Sequence, residues 1–124
     1  VLILGDSGSG KSDLALRLID NGATLISDDI SICRKNSNNI YLYCPPEIKG
    51  LLEVREIGII TVPFVEKIKL RLVVNLKSNN NERFPKDSSF RILGINIPII
   101  NIEGKNSSAV AKIKVKLNEI RETI

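Results

Sequence analysis

Eight residues near the start of the sequence constrain the fold more than any other feature. They read Gly-Asp-Ser-Gly-Ser-Gly-Lys-Ser over positions 5–12 and match the pattern G-x-x-x-x-G-K-S/T at every fixed position. The apolar run at 1–4 precedes them and predicts a short buried strand. Apolar residues then recur at helical steps over 12–20, as in an amphipathic helix that stops at Asn21-Gly22. A strand, a glycine-rich turn and a helix in this order predict a phosphate-binding P-loop.

Each residue type of this motif suits the binding of phosphate. The glycines let backbone N–H groups curl around phosphate oxygens, and the following helix adds its positive N-terminal end. Lys11 is expected to reach the outer phosphates, and Ser12 to offer its hydroxyl to Mg²⁺. The alternative is a glycine-rich turn in which Ser9 or Ser12 only caps the helix. The predicted nucleotide-binding residues are Gly5, Asp6, Ser7, Gly8, Ser9, Gly10, Lys11 and Ser12.

Two further features carry carboxylates, and each has a plain structural alternative. Asp28 and Asp29 follow an apolar run, where a P-loop fold can place a metal-binding or basic carboxylate, although acids at strand ends also bind turn amides. Glu53 and Arg55 are two positions apart, so on an extended segment they point to the same side. That spacing fits a metal ligand with a phosphate clamp, and it fits an exposed ion pair equally well.

The rest of the pattern predicts an α/β fold. A polar cluster at 36–39 predicts a hairpin, which favours a mixed sheet because parallel strands need longer crossover connections. Residues 77–89 are rich in Asn, Lys and Ser and predict a mobile surface loop. Further strands are expected at 24–26, 30–33, 40–44, 57–62, 67–76, 90–93 and 95–102, and helices at 47–52 and 107–123.

Composition narrows the class of protein. A chain of 124 residues with 43% hydrophobic and 26% charged residues is typical of one globular domain. The net charge of +4 favours anionic partners, but scattered basic residues with only two Tyr and three Phe argue against a nucleic-acid binder. Because the chain opens without Met inside an apolar run, we expect upstream residues to be missing.

Cysteine usage and hydropathy bear on metal, membrane and compartment. Cys33 and Cys44 occur without any histidine, which argues against a zinc site and predicts two small buried thiols. No apolar run approaches the roughly 18–20 residues that span a bilayer, so no membrane partner is expected. A reducing cytoplasm is the expected compartment.

In this order, the features resemble the catalytic domain of HPr kinase/phosphorylase, in the compact form of alphaproteobacteria. That family has a GDSGxGKS P-loop, a helix ending in glycine, paired aspartates after a strand, a proline-containing segment and a signature close to LLEVRGLGIIxV. The resemblance covers about the first half of the chain. The corresponding stretches are 5–12, Gly22, 25–29, 45–46 and 51–62.

The resemblance implies a fold and an activity. The implied fold is a P-loop mixed sheet with flanking helices, similar to the phosphoenolpyruvate-carboxykinase type. The implied activity is ATP-dependent phosphorylation of a serine on a small HPr-like phosphocarrier protein, with Mg²⁺ as cofactor and phosphorolytic dephosphorylation as the reverse reaction. A cytoplasmic homo-oligomer is implied as well. A nucleotide-binding regulatory module without transfer activity, or a generic P-loop ATPase, are the alternatives.

Roles for single residues follow from the same resemblance. Lys11, Asp29 and Arg55 take the catalytic positions, with Asp29 accepting the proton of the target serine. Ser12 and Glu53 take the positions of the Mg²⁺ ligands.

Two positions depart from the family pattern. Glu56 replaces a glycine of the signature. The family also has an arginine followed by asparagine in a later segment, where residues 102–107 offer only Lys105 as a cation.

Overall fold

Short apolar runs become the strands of this chain, and two longer amphipathic runs become its α-helices. The computed structural model describes residues 1–77 and 86–122, and the bounds below refer to them. The helices are α1 (Lys11–Asp20) and α2 (Ala109–Glu122), and Pro46–Ile48 forms a single turn of 3₁₀ helix. The strands are β1 (Leu2–Leu4), β2 (Ile32–Asn36), β3 (Asn39–Tyr43), β4 (Leu51–Val54), β5 (Gly58–Thr61), β6 (Lys67–Lys69), β7 (Val73–Leu76), β8 (Ser88–Ile92) and β9 (Ile95–Ile102).

A four-stranded mixed sheet carries the glycine-rich motif at the end of its first strand. Its order is β1-β7-β9-β8, with β1 and β9 parallel to β7 and with β8 antiparallel to β9. Leu93 and Gly94 connect β8 to β9 with φ angles of +49° and +80°, the positive values that two-residue hairpin turns favour. The predicted mixed α/β sheet is therefore confirmed.

Two smaller antiparallel sheets complete the fold. Strands β2, β3 and β6 form one of them, and β4 pairs with β5 in the other. The hairpin expected at 30–33 and 40–44 is confirmed as β2 and β3, which turn at Ser37-Asn38. Neither α-helix in the described part of the chain has the length and apolar character needed to cross a membrane.

The four-stranded sheet is covered on both faces, so its central strand β7 is apolar at neighbouring positions. Val74 packs with Leu14 of α1 and Ile113 of α2 in one buried cluster. Val73 belongs to a second cluster with Ile40 of β3. Successive strand residues face opposite sides, which explains why both valines are fully buried. A third cluster joins α1 to the β4–β5 hairpin.

Three predicted elements are wrong. The single strand expected at 67–76 is two strands in different sheets, because the backbone at Leu70 still bonds to Ile40 whereas β7 pairs with β1 and β9. Leu25 forms only an isolated bridge with Phe64, so 24–26 is not a strand of a sheet.

The helix expected at 47–52 is also wrong beyond its first turn, since Leu51 and Leu52 pair with β5 instead. Most of the loop expected at 77–89 lies outside the described residues, and Ser88 already begins β8. Both long helices are confirmed, with α2 beginning two residues later than expected.

Candidate functional site

The glycine-rich motif forms the turn between β1 and α1. Gly8 and Gly10 have φ angles of +82° and +95°, a region that side chains with a Cβ rarely adopt. A Cβ on Gly5 would lie 2.5 Å from Oγ of Ser9, so the turn leaves no space there. Gly10 occupies the N-cap position of α1, and no side chain hydrogen-bonds to this N-terminus as a cap. The alternative in which Ser9 or Ser12 serves only as a helix cap therefore has no support.

Lys11 begins α1 and folds its side chain back over the turn. Its ammonium nitrogen donates a hydrogen bond to the carbonyl of Gly5 at 2.6 Å and lies 3.4 Å from the carbonyl of Asp6. The next residue, Ser12, is exposed at the first turn of the helix. A cation, an exposed hydroxyl and the positive end of a helix thus meet at one turn, which is the arrangement that binds phosphate.

A cleft borders this turn on the side of the loop between β9 and α2. Its volume is about 220 Å³. The hydroxyl oxygen of Ser9 is buried at the edge of the cleft and has no hydrogen-bond partner within the described residues. Buried polar groups are usually hydrogen-bonded, so this hydroxyl is available to a bound ligand. The lining residues are Gly8, Ser9, Leu76, Lys77, Glu103, Gly104 and Lys105.

The paired aspartates lie in different situations. Asp28 accepts a hydrogen bond from the backbone N–H of Glu53, with 2.9 Å between its Oδ2 and the nitrogen. Asp29 is exposed and has a φ of +67°, a left-handed value that is uncommon without glycine. Such backbone geometry concentrates at functional sites. The structure thus shows different surroundings for two adjacent residues that the sequence alone does not distinguish.

Helix α1 connects the glycine-rich turn to strand β4, which carries Glu53. Leu52 is fully buried and packs with Leu16 and Ile19 of α1 in one apolar cluster. Glu53 follows Leu52 in β4 and keeps its side chain exposed. One helix therefore holds both the turn at its N-terminus and the strand that carries Glu53.

Arg55 does not share a strand with Glu53. Strand β4 ends at Val54, and Arg55 lies in the turn to β5, so the expectation of a common extended segment is wrong. No ion pair joins the two residues among the described parts of the chain, which removes that alternative as well.

The two side chains predicted to hold a metal ion both offer oxygen atoms. The oxygens of Ser12 and Glu53 are the ligand type that Mg²⁺ prefers. In the ranges 1–77 and 86–122, no three Asp, Glu, His or Cys side chains gather at one point. Mg²⁺ commonly binds through one or two protein oxygens together with substrate phosphates and water, so this sparse set fits the ion.

Sequence reasoning missed the part played by the loop at 103–106. A Cβ on Gly10 would lie 3.6 Å from Cγ of Lys105, so this lysine runs along the P-loop. Arg17 of α1 donates hydrogen bonds to the carbonyls of Gly104 and Asn106. No spacing signal could have found these contacts, because they join residues 87 and 89 positions apart.

The two cysteines are free thiols in the described structure. Cys44 is buried, as predicted, whereas Cys33 is only half-buried. Partial burial disfavours the charged thiolate and raises the pKa of Cys33 above its usual value. Neither residue lines the cleft beside the P-loop.

Comparison with known families settles what kind of domain this geometry belongs to. The sequence model of the HPr serine kinase C-terminal domain family matches residues 1–122. The chain belongs to this family. The HPr kinase/phosphorylase of Ralstonia nicotianae is 35% identical to this chain, and the match covers 98% of this chain and 42% of the relative. For the HPr kinase/phosphorylase of Cupriavidus metallidurans the identity is 36%, with the same shares covered.

The fold agrees with a solved structure of the family. The Hpr(Ser) kinase/phosphatase of Coxiella burnetii superimposes with a TM-score of 0.84 at 28% identity, covering 98% of this chain and 87% of that one. The predicted P-loop mixed sheet with flanking helices is thereby confirmed for this member of the family. The chain spans about two fifths of the length of the curated relatives named here.

Proposed function

We propose that this chain is a catalytic domain that transfers the γ-phosphoryl group of ATP to a serine of a small HPr-like phosphocarrier protein. The observation that carries the proposal is the Lys11 ammonium held over a P-loop turn, 2.6 Å from the carbonyl of Gly5. Membership of the HPr serine kinase family supplies the reaction class. The names of the Ralstonia and Coxiella relatives support phosphorylation and, in the reverse direction, dephosphorylation.

The P-loop supplies the phosphate-binding half of the mechanism. Backbone N–H groups of residues 5–12 and the N-terminus of α1 surround the phosphates of ATP. Lys11 neutralises charge on the outer phosphates, and Lys105 adds a second cation beside Gly10. Ser12 and Glu53 hold Mg²⁺, which supplies further positive charge to the phosphates when it is bound. Positioning and charge neutralisation are the main sources of rate in such transfers.

Asp29 supplies the proton-transfer half of the mechanism. Asp29 accepts the proton of the attacking serine hydroxyl as its oxygen forms the new bond to the γ-phosphorus and the bond to ADP breaks. Its exposure leaves the carboxylate accessible to a protein substrate. Arg55, in the turn after β4, is assigned to the transferred phosphoryl group, where a guanidinium binds two oxygens at once. A cytoplasmic homo-oligomer that recognises HPr completes the proposal.

The deciding experiment is incubation of the purified protein with γ-labelled ATP, Mg²⁺ and HPr from the same cell. We expect label on one serine of HPr, and we expect Lys11→Ala to reduce transfer by about 10²-fold or more because a transition-state cation is lost. Lys112→Ala, which changes an exposed lysine of α2, is the matched control and should leave transfer unchanged. Release of phosphate without labelled HPr would instead indicate an ATPase. Binding of ATP without turnover would indicate a regulatory module.

A further inference from the structure

Within the described residues, Arg17 is the one side chain of α1 that hydrogen-bonds to the loop at 103–106, which forms the wall of the cleft opposite the P-loop. Its Nη1 donates to the carbonyl of Asn106 at 3.2 Å, and its Nη2 donates to the carbonyl of Gly104. Its Nε pairs with the carboxylate of Asp13 at 3.1 Å. The two carbonyls belong to the residues on either side of Lys105, so the guanidinium brackets this lysine through its neighbours' backbone.

Other contacts leave the loop little freedom apart from the Lys105 side chain. A Cβ on Gly104 would lie 2.7 Å from Cδ1 of Leu76, so the loop backbone packs directly on β7. Asn106 donates its N–H to the carbonyl of Glu103 at 3.1 Å and accepts from the N–H of Ser108 at 3.0 Å. With these contacts in place, the path of the loop fixes where the Lys105 side chain begins.

The chemistry of the contact selects arginine. A planar guanidinium can donate to two carbonyls and a carboxylate at once, whereas a lysine ammonium is a point charge on a flexible stem. The Arg17 side chain is 29% exposed against 66% for Asp13, so its contacts with the loop are the better shielded end of the arrangement. The Asp13 pair is an exposed i,i+4 pair and contributes little by itself.

We propose that Arg17 is a positioning residue that holds Lys105 against the P-loop, so that a second cation faces the phosphates beside Lys11. The proposal rests on the proposed nucleotide site and deepens it. Arg17 itself touches only protein groups. Its effect on the reaction therefore passes entirely through Lys105.

Amide hydrogen exchange tests the positioning without any nucleotide. Arg17→Met removes the forked donor and keeps a long side chain, and we expect faster exchange at the Asn106 amide. Arg17→Lys should behave almost like Arg17→Met, because one ammonium cannot replace the fork. Asp13→Asn is the matched control, since it weakens only the exposed pair, and it should leave this exchange rate unchanged. An Asn106 amide that exchanges equally slowly in Arg17→Met would overturn the proposal.

A double-mutant cycle on the affinity for Mg-ATP tests the route through Lys105. Lys105→Ala should raise the Kd about tenfold, the size of a lost charged contact. Arg17→Met should raise it by a similar factor in the unchanged protein and by almost none in Lys105→Ala, because its target is already gone. Independent effects that multiply in the double variant would contradict the proposal. Thermal unfolding of each variant verifies that it is folded.

Failure of the underlying site would look different. If Lys11→Ala bound Mg-ATP as tightly as the unchanged protein, the P-loop function would fall. The exchange measurement would still decide whether Arg17 holds the loop.

Discussion

The carboxylate of Asp28 holds the backbone N–H of Glu53, with 2.9 Å between Oδ2 and the nitrogen. One of the two adjacent aspartates thus fixes the strand that carries the proposed metal ligand, while Asp29 remains exposed. The sequence left open whether these acids act on ligands or bind backbone amides. For Asp28 the structure shows a bond to a backbone amide. Substitutions of Asp28 and of Asp29 are therefore expected to have different effects.

Asp28→Ala should destabilise the protein by about 1 kcal/mol, because the Glu53 amide loses its acceptor. Asp28→Asn retains an oxygen that can accept the same hydrogen bond, so it should lose clearly less. Urea unfolding of both variants measures the difference. Equal losses would show that the carboxylate charge, and not the hydrogen bond, matters at this position.

Asp29→Asn should keep ATP binding and lose about 10²–10⁴-fold in the rate of transfer to HPr, as expected for removal of a positioned base. Asparagine tolerates the left-handed backbone found here, so this variant isolates the proton transfer from backbone strain. Single-turnover transfer at saturating Mg²⁺ is the measurement. If Asp28→Asn proved more damaging with both variants folded, the roles of the two residues would have to be exchanged.

Glu53→Gln should raise the Mg²⁺ concentration needed for half-maximal activity by about tenfold or more, since a charged ligand becomes neutral. Its backbone N–H still bonds to Asp28, so the fold should be preserved. Glu47→Gln, at an exposed glutamate of the 3₁₀ turn, is the control and should leave the requirement unchanged. A nucleotide complex with Glu53 far from the ion would remove its role.

Glu56→Gly should raise the free energy of unfolding by up to about 1 kcal/mol. Glu56 has a φ of +73°, and the left-handed region costs a residue with a Cβ about 1–2 kcal/mol, part of which the extra freedom of an unfolded glycine offsets. This is the position where the resembled signature has glycine. Chemical denaturation measures the gain, and a loss of stability would mean that the Glu56 side chain makes a compensating contribution.

Local signals explain what the sequence could predict. The P-loop turn needs glycine at positions with positive φ, and the β2–β3 hairpin needs a polar turn. Both features therefore depend on residues that are adjacent in the sequence. The division of the run at 67–76 into two strands leaves no local signal, because it depends on partners distant in the sequence. Leu70 bonds to Ile40, whereas Val73 lies between Leu2 and Ile99.

The site was predictable to the same extent. Lys11 and Ser12 follow from a local motif, whereas the Arg17 contacts join α1 to a loop almost the whole chain away. The difference between Asp28 and Asp29 arises from a single hydrogen bond across 25 positions and from one backbone angle. Neither this hydrogen bond nor this backbone angle produces a recognisable pattern in the sequence.

Leu76 lies between the two walls of the cleft beside the P-loop. A Cβ on Gly5 would lie 3.2 Å from Cβ of Leu76, and one on Gly104 would lie 2.7 Å from its Cδ1. The same leucine therefore serves as the spacer between the P-loop and the opposite loop. A smaller or larger residue at 76 would change the gap between these walls and with it the distance from Lys105 to the P-loop, so the apolar core sets the spacing of two cationic loops.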